Sequence, residues 1–234
     1  MGKTHGNGKW GPQVFNVGMT DDGIYEKIMG TESARAMLDG ARGLEVGKLP
    51  ANDLDAIDPE QLDRFDAIPA GGPLFTRKSV SKAERCTLIV RFGAGYDRVD
   101  LDACTDAGII VATTPMGIRR SMATAALTFI LALSVKLFDK RNLVYSGSWS
   151  RADGPEYLGV GLEGRTLGYI GLGNIGQELH KLIAPFGMKY LVYDPYLDDD
   201  VAKTLGVQKT DLDTLLKRSD FVSIQCLLTN ETHH

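Results

Sequence analysis

The stretch TLGYIGLGNIG at residues 166–176, followed by LVYD at residues 191–194, decides how the rest of the chain is read. Residues 167–170 form the short apolar run of a buried strand, and Gly171, Gly173 and Gly176 fit G-x-G-x-x-G. Over residues 174–186 the spacing is helical, with Ile175, Leu179, Leu182, Ile183 and Phe186 on one side. Residues 189–193 read as a second strand, and Asp194 closes it, 18 residues past Gly176. Each part has a task in holding a dinucleotide. Gly171 permits a tight turn, Gly173 lets the backbone approach a pyrophosphate, and Gly176 lets helix and strand pack closely. The helix N-terminus offers free N–H groups to an anion, and Asp194 would accept hydrogen bonds from the adenosine ribose. The glycine pattern alone suits a turn in any α/β domain. Strand, glycines, helix, second strand and acid together point to a dinucleotide site.

Composition narrows the class. The 234 residues leave room for one large or two modest domains, and 43% hydrophobic with 24% charged residues is ordinary for a globular protein. A net charge of −4 makes no electrostatic case for nucleic acid or an anionic membrane. Cys86, Cys104 and Cys226 are odd in number and lie in no C-x-x-C pair, so reduced thiols in a cytoplasmic protein are expected, with no metal site. Residues 1–13 read as a flexible leader without the apolar core of a signal peptide. The most apolar run, residues 122–135, falls short of the roughly 20 residues that span a bilayer.

Taken in order, residues 13–17 offer a first strand. Thr31 can cap a helix with Ala34, Met37 and Leu38 as its apolar positions and Gly40 as its stop. Residues 44–46 suggest a second strand. Asp58-Pro59-Glu60-Gln61 carries an N-cap, a proline at the first helical position and a glutamine placed to close a capping box. Residues 87–90 then read as a buried strand, residues 100–107 as a helix capped by Asp100 and ended by Gly108, and residues 109–112 as another strand. This strand–helix–strand unit favours a parallel sheet. Residues 121–145 read as one helix roughly 40 Å long at ~1.5 Å per residue, suited to crossing between domains or to packing against a second subunit. The expected plan is a substrate-type α/β domain at 14–145 that includes this helix, a linker at 146–165, and a dinucleotide domain at 166–234. Beyond Asp194 come a weak helix at 201–205, a stronger one from about Thr210, and a third strand at 221–226. Three strands are half of a six-stranded doubly wound domain.

Asp194, with Asp198, Asp199 and Asp200 just beyond it and no arginine nearby, would repel a 2′-phosphate. NAD is therefore expected in preference to NADP.

From about residue 60 onward the chain resembles the NAD-dependent D-isomer-specific 2-hydroxyacid dehydrogenases. The likeness rests on RFGAGYDRVD at 91–100, GIIVATTP at 108–115, LEGRTLGYIGLGNIG at 162–176 with FGM at 186–188 and YDP at 193–195, and SDFVS at 219–223 with TNET at 229–232. It implies a flavodoxin-like α/β domain followed by an incomplete Rossmann domain. It also implies that backbone N–H groups of Gly93, Ala94 and Gly95 cradle a substrate carboxylate, a use that suits small residues. Asn174 and Ile175 would face the pyrophosphate, Asp194 the ribose, and Cys226, Leu227 and Thr232 the adenine and nicotinamide-ribose side. Leu227 stands where the family usually has proline, and Thr124 where many members have glutamate.

Reducing a 2-keto acid needs hydride, a proton donor at the carbonyl oxygen and a cation for the carboxylate. The resemblance implies a histidine, a glutamate and an arginine beyond Thr232, so no residue of this chain is assigned as catalytic. His5 falls in the leader, His180 beside the packing face of its helix at a surface or boundary position, and His233 and His234 at ordinary polar positions. The expected function is hydride transfer between NAD(H) and a small 2-hydroxy or 2-keto acid, by a truncated member that is poorly stable or partner-dependent alone. A homodimer fits the long helix. A non-catalytic NAD-binding or interaction module and a non-functional fragment are the alternatives.

Overall fold

A computed structural model describes residues 14–20, 24–50, 55–151 and 154–233. The chain divides into two compact units, one up to Thr114 and one from Pro115 onward.

The first unit is built on a parallel sheet of β1 (Phe15–Thr20), β2 (Leu44–Leu49), β3 (Ala67–Ala70), β4 (Leu88–Arg91) and β5 (Ile110–Thr113), in the order β2-β1-β3-β4-β5. This is the flavodoxin order. Leu49, Leu62, Ile68 and Ile89 are fully buried in its core, with Phe75 beside them. The expected helix at Thr31 is present as α2 (Glu32–Gly40), following α1 (Ile24–Met29), which carried no clear signal; the Thr31 hydroxyl accepts the Ala34 N–H at 3.3 Å. Its apolar positions do not face a core: α2 buries no residue, and Met37 is 76% exposed. The helix begun by Asp58 is a single turn, α3 (Pro59–Leu62), with Asp58 accepting the N–H groups of Glu60 and Gln61.

Strand β3 was hidden by Pro69, since a proline argues against a central strand. The structure tolerates it because the pairing of β3 with β1 is limited to the one register pair Val17–Ala67. By contrast α4 (Leu101–Ala107) follows its signals closely. Asp100 accepts the Ala103 N–H at 2.8 Å, and Gly108 ends the helix at φ +74°, a left-handed cap that favours glycine.

The second unit holds a parallel sheet of β6 (Thr166–Ile170), β7 (Lys189–Tyr193), β8 (Gln208–Lys209) and β9 (Phe221–Ile224), in the order β8-β7-β6-β9. Counted from β6, the order is 3-2-1-4, as in the first strands of a Rossmann sheet. Four strands are present where the sequence suggested three, because β8 has only two residues and no apolar alternation. Helix α7 (Asn174–Ile183) runs into a 3₁₀ turn at Ala184–Phe186, and α8 (Asp199–Leu205) and α9 (Leu212–Arg218) complete the unit. Leu167, Tyr169, Leu179, Ile183 and Val192 are wholly buried; each such side chain contributes about 1.5–3 kcal/mol.

The long helix is corrected in three respects. It starts earlier, as α5 (Pro115–Ser134), breaks at Lys136, and resumes as α6 (Leu137–Tyr145). Lys136 has φ +52°, and the Ser134 carbonyl accepts the N–H of Val160 at 2.7 Å. The segment expected to be a free linker thus packs on the end of α5, where its Leu162 is buried and Gly159 lies so close that a Cβ would stand 2.5 Å from Ser134 O. Third, α5 belongs to the second unit. Ala123 and Ile130 enter the same core as Leu179, and Arg120 Nη1 meets Glu178 Oε1 at 2.8 Å. The hydrogen bond from Arg120, with Arg119 nearby, holds the Glu178 carboxyl below its ordinary pKa. At 20 residues α5 is also long and apolar enough to cross a membrane by length and composition, unlike the 14-residue run read from sequence.

Candidate dinucleotide site

The glycine loop joins β6 to α7. Gly171 adopts φ +82°, and a Cβ there would lie 2.9 Å from the backbone nitrogen of Cys226, so both conformation and space demand glycine. At Gly176 a Cβ would come within 3.2 Å of Leu172 Cδ1 and 3.4 Å of Gly171 O, which is the close packing expected of the third glycine. Gly173 is different. Its φ is −75°, and a Cβ would meet nothing within 4 Å, so the fold does not require glycine there. Open space at that point suits a group lying against the backbone.

Gly173 is also the N-cap of α7, which has no side-chain cap. Helices α2, α3, α4, α8 and α9 are each capped by the side chain of a Thr or Asp. The first N–H groups of α7, at Asn174 and Ile175, are thus left to an incoming acceptor; Asn174 is exposed and Ile175 half-buried. Asp194 stands at the end of β7, where its Oδ2 accepts the Leu172 N–H at 2.8 Å and its Oδ1 the Tyr196 N–H at 2.9 Å. A carboxylate has about four lone-pair sites, so capacity for ribose hydroxyls remains.

Cys226 is exposed and adjoins Gly171 across the loop. Leu227 and Thr232 belong to the turn that follows. There the Thr232 hydroxyl donates to Leu227 O at 2.6 Å and accepts the Thr229 N–H at 2.8 Å. In this state that hydroxyl serves its own loop. The structure therefore gathers Gly171, Gly173, Asn174, Ile175, Gly176, Asp194 and Cys226 at one end of the second sheet.

The turn Gly93-Ala94-Gly95 lies in the first unit, directly after β4. Gly93 has φ +98°, and its N–H donates to Thr114 Oγ1 at 3.1 Å. Among the described residues no acceptor meets the N–H of Ala94 or Gly95. Thr114 N–H in turn donates to Arg91 O at 3.1 Å and Gly93 O at 2.9 Å. Two of the three expected carboxylate donors are open, and the third is occupied by Thr114.

His180 is 6% exposed, well inside the boundary position expected of it. Its Nε2 lies 2.8 Å from Leu205 O and its Nδ1 3.5 Å from the Tyr169 hydroxyl, and its ring meets that of Tyr190 edge-on at 4.5 Å. Burial pushes its pKa down. It is a core residue. His5 and His234 lie outside the described residues. Among the described residues no cluster of His, Cys, Asp or Glu could hold a metal ion.

Comparison with known proteins agrees with this geometry. Residues 127–234 match the family described as "D-isomer specific 2-hydroxyacid dehydrogenase, NAD binding domain". The chain is 37% identical to D-3-phosphoglycerate dehydrogenase of Methanocaldococcus jannaschii over 164 residues, 70% of this chain and 31% of the relative. In sequence and fold the chain is similar to the D-isomer-specific 2-hydroxyacid dehydrogenases. It is also 34% identical to glyoxylate reductase of Thermococcus litoralis, over 68% of this chain and 49% of that one. Among solved structures, D-lactate dehydrogenase of Aquifex aeolicus, complexed with NAD and lactic acid, superposes with a TM-score of 0.76 at 30% identity, covering 94% of this chain and 63% of that one. The chain thus spans between about a third and a half of the length of these two curated relatives. Members of the family are oxidoreductases that act on 2-hydroxy acids, and the matched portion is their NAD-binding domain.

Two contacts had no sequence signal at all. The Leu172 amide on Asp194 and the Thr114 hydroxyl on Gly93 depend on two strand ends meeting, which no local spacing reveals.

Proposed function

We propose that this chain carries the NAD site and the substrate-carboxylate turn of an NAD-dependent 2-hydroxyacid dehydrogenase. The cofactor would exchange hydride with the carbonyl carbon of a small 2-keto acid. Gly173, Asn174 and Ile175 would receive the pyrophosphate on backbone N–H groups, and Asp194 would receive the ribose. Ala94 and Gly95 would present N–H groups to the substrate carboxylate, while Thr114 holds Gly93 in its left-handed conformation. Cys226, Leu227 and Thr232 would border the adenine and nicotinamide-ribose side. No described residue is placed as proton donor.

One observation carries this reading: an uncapped α7 N-terminus opposite an acid that is itself anchored to the glycine loop. NADH titration followed by fluorescence tests it on this chain, and oxidation of NADH with glyoxylate, pyruvate or hydroxypyruvate tests it on the intact enzyme. Absence of saturable NADH binding would overturn it.

NAD in preference to NADP, a cytoplasmic location and self-association belong to the same proposal. Asp194 supports the first. Three free thiols support the second. The third is supported by large apolar side chains on α5 and α6, with Phe129 and Leu133 each 62% exposed and Phe138 58%. Apolar surface of that kind marks a protein contact.

A further inference from the structure

Beside Asp194 the structure holds a cavity of about 240 Å³, lined by Val192, Tyr193, Asp194, Pro195, Lys209 and Thr210. A lysine in the wall of this cavity is unexpected for a site that should refuse a second phosphate. In dinucleotide sites, a basic side chain beside the ribose is what accommodates a 2′-phosphate. Here the lysine is engaged elsewhere. Lys209 Nζ donates to Leu197 O at 2.6 Å and to Asp199 Oδ1 at 2.7 Å. Leu197 is buried and fixed, whereas Asp199 is 78% exposed in the first turn of α8.

Three charges therefore act at this end of β7. Asp194 faces the ribose side, and the Lys209 ammonium is already matched by Asp199. Were the aspartate absent, the same ammonium, on a stem with three rotatable donors, could turn toward an anion in the cavity.

We infer that Asp199 is a specificity-positioning residue: by holding Lys209 it withholds the cation that a 2′-phosphate needs, and so reinforces Asp194 in selecting NAD over NADP. The inference rests on residues 166–194 being the dinucleotide site. It adds a second carboxylate to the selection, acting through a lysine on β8, the strand paired with β7.

The test is titration with NADH and with NADPH, at fixed ionic strength, on this chain and four variants. Asp194→Ser removes the repelling carboxylate and serves as background. Adding Asp199→Ala to it raises NADPH affinity relative to NADH about tenfold, the scale of one charge-assisted hydrogen bond. Adding Lys209→Met as well abolishes that gain, and Asp199→Glu alone retains the wild-type preference. A merely structural role for Asp199 would change both affinities together and leave their ratio alone. The inference is overturned if Asp199→Ala leaves the ratio unmoved, or if the gain survives Lys209→Met. If the wild-type chain binds NADH and the ratio stays fixed, only this inference falls. If it binds neither cofactor, the dinucleotide reading falls and takes the inference with it.

Discussion

Asp194 accepts the backbone N–H of Leu172 at 2.8 Å, so the acid that ends β7 also fixes the loop that begins α7. A residue usually read as a ligand for ribose thus has a second job in the fold. Asp194→Ala should both weaken NADH binding and cost at least about 1 kcal/mol of stability, since the amide of the buried Leu172 loses its acceptor. Asp194→Asn keeps an acceptor for one of the two backbone amides and should restore part of the stability without restoring the preference for NADH over NADPH. Thermal melts paired with cofactor titrations separate the two effects; equal loss of stability in both variants would refute the anchor.

The three glycines should not respond alike. Gly171→Ala forces a side chain into φ +82° and against the Cys226 nitrogen, so a loss of about 1–3 kcal/mol is expected, with a damaged loop. Gly173→Ala meets no neighbour and keeps an ordinary φ, so its melting temperature should stay near wild type while NADH affinity drops at least tenfold. A Gly173→Ala protein that binds NADH normally would mean that no phosphate approaches the backbone there.

This contrast shows how far the sequence could be read. The glycine pattern and the caps at Thr31, Asp58 and Asp100 are local, and local chemistry is legible: each capping side chain bonds a backbone group two to three residues away. What escaped was long-range. Pro69 hid β3 because its tolerance depends on how little β1 pairs there. The break at Lys136 followed from Val160 claiming the Ser134 carbonyl, 26 residues distant in the chain. An apolar pattern over residues 121–145 cannot announce that.

His180 makes stability depend on pH. Burial places its folded pKa below the unfolded value of about 6.5, so folding favours the neutral ring. Its contribution is complete above about pH 6.5 and is lost as the pH falls through the depressed folded value. Melting temperature should therefore decline between pH 7 and pH 5 more steeply in wild type than in His180→Gln, which does not titrate. Parallel curves for the two proteins would show that His180 is not responsible.

Self-association through α5 and α6 predicts a concentration-dependent mass near twice 25.4 kDa in light scattering. Phe129→Asp with Leu133→Asp places two charges on residues that are 62% exposed, so the fold should survive while the larger species disappears. If the double variant instead removes a requirement for detergent and leaves the mass unchanged, the face contacts lipid.

Thr114 offers the sharpest test of the carboxylate turn. Its hydroxyl accepts the Gly93 N–H at 3.1 Å and lies 3.3 Å from Arg91 O, bridging the end of β4 to the glycine that starts the turn. Thr114→Val keeps the shape and deletes both bonds, leaving the Gly93 amide without an acceptor at a cost of about 1–2 kcal/mol. Thr114→Ser keeps the hydroxyl and should remain near wild type. In the intact enzyme a displaced turn weakens substrate binding more than NADH binding, because the dinucleotide loop lies in the other unit. KM for the keto acid should rise about tenfold in the valine variant while the NADH dissociation constant stays within about twofold. An equal rise in both would place Thr114 in general stability, and no rise in KM would remove the turn from substrate binding.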